Sequence, residues 1–334
     1  MKRTKHEDVA RFIAKNIDNR NIANRVAENF RLTRQTANHH IRKMVENHLI
    51  EGEGQTKSRI YKPVYTTILD TTFTETDNVE HKVWVDHVEK EITHLPENLR
   101  FILSYAFTEM LNNAFDHSNA TEIRATVIRS ISDILITVKD NGVGIFRKIQ
   151  SAYSLDDPRE SILEISKGKL TTDPDNHSGE GIFFTSRVMD RFAIQSGELS
   201  FFHKTDDWLI EGLDTDIQGT EITMSISVFS TTEINELFNQ FAGDDFGFDK
   251  TRVPVKLAQH EGGFLVSRSQ AKRLLTRFDR FSEVLLDFSG VTQIGQAFAD
   301  EIFRVYRLSH TDTPIHYVHA VSAVEAMIIR ALKR

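Results

Sequence analysis

The chain has 334 residues, 40% of them hydrophobic and 27% charged, enough for two or three packed domains. It contains no cysteine, which excludes disulfides and thiolate metal sites, and no apolar run near the ~20 residues a membrane helix needs. The start, MKRTKHEDVARF, lacks the apolar stretch of a signal peptide, so a cytoplasmic protein without membrane contact is expected.

Charge is unevenly placed. Residues Met1 to Lys62 carry a net charge of +7 within a chain whose total is −7. A basic head on an acidic body points to a polyanion met by the head alone, although a solvated surface has the same composition. Apolar periodicity in this head predicts three helices: Glu7 to Asn16, Ile22 to Phe30, and one capped by Thr33 that runs to Asn47. In the third, Ala37, Ile41 and Met44 form an inner stripe, which turns Arg34, Gln35, Asn38, His39 and Arg42 outward. Arg, Gln and Asn make paired hydrogen bonds to base edges, while Arg42 and Lys43 neutralise phosphates. Two short β-prone pieces come next around Gly52 and Gly54, with Lys57 and Arg59 at their tip. The stretch LTRQTANHHIRKMVENHLI and the basic hairpin after it resemble a winged-helix DNA-binding domain, which implies double-stranded DNA as partner. A winged helix used only for protein contacts is the competing reading.

Pro63 to Asn78 is expected to be a connecting strand, with helices after it from Val79 to Thr93 and from Glu97 to His117. On the second helix Glu109, Asn113 and either Asp116 or His117 share one face. Strands are predicted over Thr121 to Arg129 and Ile131 to Lys139, the second running into Asp140-Asn-Gly-Val-Gly144. Further on, Gly179-Glu-Gly181 opens a helix read as far as Phe192, and Gln218-Gly-Thr220 lies on a strand. The order ExxxN, DxGxG, GxG and GT resembles the GHKL nucleotide-binding fold of histidine kinases, gyrase, Hsp90-like chaperones and anti-sigma kinases.

That resemblance implies ATP and Mg²⁺ as cofactors and assigns roles. Glu109 would be the general base for an attacking water, and Asn113 a Mg²⁺ ligand. Asp140 would receive the adenine amino group with help from Thr220, and Asp116 would also face the nucleotide. Gly142 and Gly144 would admit the base closely. Gly179, Gly181, Ile182 and Phe183 would present a helix N-terminus to the phosphates. Phe146 to Ser178 would form a mobile lid whose Lys169 reaches the terminal phosphate.

The remainder predicts a helix from Thr231 to Phe241, a linker from Gly243 to Asp249, and strands at Val253 to Ala258 and Gly263 to Val266. A helix from Ser269 to Phe281, a strand from Val284 to Phe288 and a helix from Gln296 to Ser309 come next. A strand from Ile315 to His319 and a helix from Ser322 to Leu332 close the chain. EVLLDFSGVTQIGQAFADEIFRVY within it resembles STAS domains, the fold of anti-sigma-factor antagonists, and implies a protein-docking surface; a plain dimerisation domain is the rival. Where antagonists carry a phosphorylated hydroxyl, this chain has Gly295, Gln296 and Ala297.

The expected architecture is therefore α/β multidomain: a winged helix-turn-helix over 1–63, a GHKL α/β sandwich over 64–228, and a linker helix with a small STAS-like α/β domain over 229–334. The expected function is an ATP-responsive DNA-binding transcription regulator with slow ATPase activity, and a homodimer. The alternatives are an anti-sigma-like serine/threonine protein kinase and a non-hydrolysing ATP-dependent adaptor.

Overall fold

The computed structural model describes residues 6–17, 19–54, 59–74, 80–171, 179–204, 207–259 and 263–333. Helices α1 (His6–Lys15), α2 (Ile22–Phe30) and α3 (Arg34–Glu46) pack Val9, Ile13, Val26, Ala37, Ile41 and Met44 into one small core. Thr33 caps α3 by accepting a hydrogen bond from the Thr36 amide. Strands β1 (Ile50–Glu53) and β2 (Ile60–Pro63) form an antiparallel hairpin, with Glu53 opposite Ile60. Lys57, expected at its tip, lies outside the described residues.

This N-terminal unit docks on the central sandwich. Ile131 of the sandwich completes its core, and Arg11 donates to the Phe229 carbonyl while lying over that residue's ring.

β3 (Thr66–Phe73) opens the central sheet, and α4 (Glu80–Val83) continues through one wide π turn (Trp84–Val88) and a tight 3₁₀ turn (Glu89–Ile92). The changes of pitch bring Trp84, Val88 and Ile92, spaced by four, onto the core. After them come α5 (Glu97–His117), β4 (Ile123–Arg129), β5 (Asp133–Asp140), α6 (Ile145–Tyr153), α7 (Pro158–Lys167), α8 (Gly181–Val188), β6 (Arg191–Lys204) and β7 (Asp207–Ser227). The sheet is antiparallel in the order β3-β4-β5-β7-β6, and α5 buries Leu99, Leu103, Ala106, Met110 and other residues against it.

α8 ends at Val188, short of the expected Phe192. From Arg191 the buried residues alternate, so Phe192 and Ile194 pair with Met224 and Ile222 as a strand.

α9 (Ile234–Phe241) leads to the last layer: β8 (Lys250–Pro254), α10 (Arg268–Leu275), β9 (Glu283–Asp287), α11 (Gln296–Asp300), α12 (Arg307–Ser309), β10 (Ile315–Val318) and α13 (Ser322–Leu332). A π turn, Glu301–Tyr306, joins α11 to α12 into the single long helix expected. The sheet is parallel, in the order β10-β9-β8.

Three expected elements of this layer differ in the structure. The strand expected up to Ala258 stops at Pro254, which has no N–H to continue a ladder, and a 3₁₀ turn takes over. Of the strand expected over Gly263 to Val266 only one bridge remains, Leu265 to Ile294. The helix expected to reach Phe281 breaks after Leu275 because Arg277 adopts φ 66°, outside helical geometry. The apolar cores of sandwich and last layer merge into one cluster from Leu69 to Ala331. No helix among the described residues is long and apolar enough to cross a membrane.

Candidate functional site: a cleft between α5, α6 and α8

The cleft is built from three sequence-distant pieces. α5 supplies Glu109, Asn113 and His117, spaced by four and so stacked along one helix face opposite its buried stripe. The end of β5 supplies Asp140, and the start of α8 supplies Gly181 and Ile182. The enclosed space is about 1030 Å³ including its open mouth, and its lining mixes apolar groups (Met110, Val138, Ile222) with these polar ones.

Asp140 lies at the bottom, only 5% exposed. Its Oδ1 accepts from the amides of Gly142 (2.8 Å) and Thr220 (3.2 Å). Burial pushes its carboxyl above the usual carboxylate range, and the hydrogen bonds from Gly142 and Thr220 partly offset this. The Thr220 hydroxyl in turn accepts from the Ile145 amide at 3.0 Å, so β7, β5 and the first turn of α6 are locked around this one carboxyl.

The glycines have different jobs. A Cβ on Gly142 would lie 2.0 Å from the Ser118 carbonyl, so Gly142 stands behind the cleft wall and lets the β5–α6 loop close on the end of α5. A Cβ on Gly181 would lie 2.1 Å from Glu109 Oε2, so α8 approaches the carboxylate closely only because that residue is glycine. Its first-turn amides have no intrahelical acceptor, and the Glu180 side chain does not cap them. Gly219, which precedes Thr220, takes φ 75° with a Cβ position 2.1 Å from the Asp140 carbonyl. The motif order alone gives it no separate role.

The structure gathers Glu109, Asn113, Asp140, Gly144, Gly179, Gly181, Ile182, Phe183 and Thr220 around the cleft. It leaves three expected residues out: Gly142, which stands behind the wall against Ser118, Asp116 and Lys169. Asp116 is exposed and off the wall, because a step of seven from Glu109 falls to the side of the helix face that His117, at eight, occupies. Lys169 turns away to Asp249 Oδ1 (2.9 Å) and the Arg280 carbonyl (2.7 Å), held by opposite charge on the last layer. Phe183 touches the cleft but is otherwise consumed by packing on Phe184, Phe241 and Phe248, with the Arg187 guanidinium 3.5 Å from its ring centre.

The expected mobile lid is also different. α7 buries every residue from Ser161 to Lys167, and only 172–178 of the segment falls outside the described residues.

One cleft residue belongs to none of the sequence motifs. Lys148, one turn into α6, donates to the His117 carbonyl at 2.6 Å, and burial lowers its ammonium below the usual lysine range. Ile145, Lys148 and Ile149 share one helix face, but that pattern alone does not distinguish Lys148 from any other helix lysine.

The amide nitrogen of Asn113 is buried and makes no hydrogen bond among the described residues. A buried amide with an open donor beside a helix N-terminus that has no side-chain cap is a place for a polar, anionic ligand.

Of the positions expected to face DNA, Arg34, Gln35, Asn38, His39, Arg42 and Lys43 are all exposed along α3, and Arg59 is exposed with its side chain across Gly52.

Residues 100–229 match the family described as histidine kinase-, DNA gyrase B-, and HSP90-like ATPase, and residues 270–325 match a STAS-like domain of unknown function. No curated protein matches the chain. The chain therefore contains a GHKL-type ATPase domain followed by a STAS-like domain.

Proposed function

We propose that the protein is an ATP-responsive, DNA-binding regulator of transcription in which ATP binding and slow hydrolysis alter how its domains are held. Residues 1–63 would be a winged-helix reader, 64–228 the ATPase domain, and 229–334 a linker helix with the STAS-like domain as a protein-docking unit. The observation that carries the reading is the exposed row Arg34, Gln35, Asn38, His39, Arg42 and Lys43 on α3, in the same chain as a nucleotide cleft. A recognition helix needs this arrangement: an inner apolar stripe for support and an outer set of forked donors.

The cleft fits a magnesium nucleotide. Asp140 is buried and positioned for one amino group, the α8 N-terminus offers amides, and Asn113 Nδ2 has a donor open, among the described residues, to a phosphate oxygen. Asn113 would hold the metal through its amide oxygen, and bound Mg²⁺ would neutralise phosphate charge. Glu109, against Gly181 at the helix start, would orient a water and take its proton. Arg11 and Ile131 would carry a change in the sandwich to the reader, because they join the two directly. A homodimer would place two readers on paired half-sites.

The test is DNA affinity of the full chain in apo, ATP and ADP forms at fixed salt. Coupling requires the nucleotide to discriminate two states, so affinities equal within error in all three forms refute the reading. Phosphate transfer to a separate protein, lost in Glu109→Gln, would instead make it a kinase.

A further inference from the structure

We infer that Arg277, on the STAS-like layer, is a positioning residue for the nucleotide cleft, holding the 164–171 segment that leads into the cleft wall in place. The inference rests on the cleft being a nucleotide site.

The contacts run in one continuous line. Arg277 reaches across from the last layer with its side chain only 7% exposed. One nitrogen donates to Glu164 Oε2 at 2.8 Å on α7, and the other to the carbonyls of Gly168 (2.8 Å) and Lys169. The next two residues, Leu170 and Thr171, are cleft wall, as is Ile165 within α7. Leu170 lies directly on the phosphate glycines: its amide faces the Gly179 carbonyl at 3.4 Å, and a Cβ on Gly179 would lie 2.5 Å from its nitrogen.

A second cation works in the opposite direction. Lys167, fully buried on α7, spends its three donors on Glu164, the Arg273 carbonyl and the Thr276 carbonyl. A third, Arg187 on α8, joins Ser166 of the lid to Arg252 of β8 through their carbonyls. Thr251 closes the set by donating to the Lys167 carbonyl at 2.7 Å.

Simple docking of two apolar layers does not account for these groups. Burying charges is costly unless their donors are matched, and here three of the acceptors are backbone carbonyls beside the cleft wall (Ser166, Gly168, Lys169), which fix backbone position instead of merely gluing surfaces. The carbonyls held by this fork are chain neighbours of the wall residues Leu170 and Thr171, so the last layer adds its own restraint to a wall that Tyr153 and Gly179 hold from within the sandwich.

Stopped-flow binding of a fluorescent ATP analogue with Mg²⁺ to the full chain tests this. In Arg277→Met the analogue dissociates faster by about tenfold or more, while association stays within about threefold of wild type. Arg277→Lys, which keeps the charge but not the fork, falls between. Arg304→Met, which breaks the Asp300 pair elsewhere in the same layer, leaves both rates unchanged. A folded Arg277→Met with wild-type dissociation overturns the inference.

If that variant does not fold, hydrogen exchange on the wild-type chain decides. Adding the analogue must slow amides over 273–280 and leave those of α13 unchanged; no protection over 273–280 overturns the inference. A wild-type chain that binds no adenine nucleotide overturns the functional reading and the inference together. Normal binding with an indifferent Arg277 overturns the inference alone.

Discussion

On the proposed function hydrolysis depends on Glu109, which α8 approaches at a residue with no side chain. Because Gly181 lets α8 reach Glu109 Oε2, Glu109→Gln should retain nucleotide affinity but cut phosphate release by about 10²–10⁴-fold, the usual range for a lost general base. A steady-state phosphate assay beside equilibrium nucleotide binding separates the two effects.

A second carboxylate, Asp287 at the end of β9, serves stability. Burial works to raise it, but hydrogen bonds from the Ser289 amide and hydroxyl, His319 and Arg252 outweigh that and hold it at about 2. A folded pKa below the unfolded value contributes stability above about 4 that is lost as pH falls towards 2, worth about 2 kcal/mol. Denaturation of wild type and Asp287→Asn across that window should converge at the acid end. These side chains, apart from Lys148 and Asp287, were legible from motif spacing. Lys148 was not, because a lysine on a helix face has no motif of its own; its meaning comes from the His117 carbonyl, 31 positions away in sequence.

Among elements, α8 shows how narrow the tolerance is. Gly181→Ala forces its methyl against Glu109, so either the helix or the carboxylate must shift. Misplacement on that scale should lower turnover by about 10²-fold with little change in thermal stability. Crystallographic or kinetic evidence of unaltered turnover would show that the close approach is not functional.

α3 makes a prediction of another kind. Arg42→Ala and Lys43→Ala should weaken DNA binding uniformly across sequences and reduce the salt slope by about one each, whereas Asn38→Ala should relax base preference at one position. A salt titration on specific and random duplexes distinguishes them.

Element type followed from periodicity wherever a stripe was long, as in α2, α3 and α5. It failed at 189–192, where Phe192 continued an apolar helix pattern that strand pairing with Met224 overrode, and at Arg277, whose left-handed backbone no local pattern announced.

For the molecule as a whole, the joined core of sandwich and last layer and the buried cations between them predict coupled unfolding. Glu164 accepts from both Lys167 and Arg277 and is 3% exposed. Removing it in Glu164→Gln leaves two buried cations short of their counter-charge, which should cost about 3–5 kcal/mol. The loss should appear in one transition shared by probes in the sandwich and in the last layer. Two separated transitions in the wild-type chain would contradict a single cooperative body.

The sequence determined that a GHKL-type domain exists and brought most of its motif residues to one cleft, because carboxylate, amide and glycine at fixed local spacings survive in linear order. It also placed the basic surface on α3, since a helix face is read directly from a period of 3.6. Only the tertiary structure decided that Pro158–Lys167 of the expected lid is a packed helix, and that Lys169 pairs with Asp249. Glu164, Arg187 and Arg277 were silent in the sequence for the same reason. Their partners lie far along the chain, and a charge becomes a positioning group only once folding has removed the water around it.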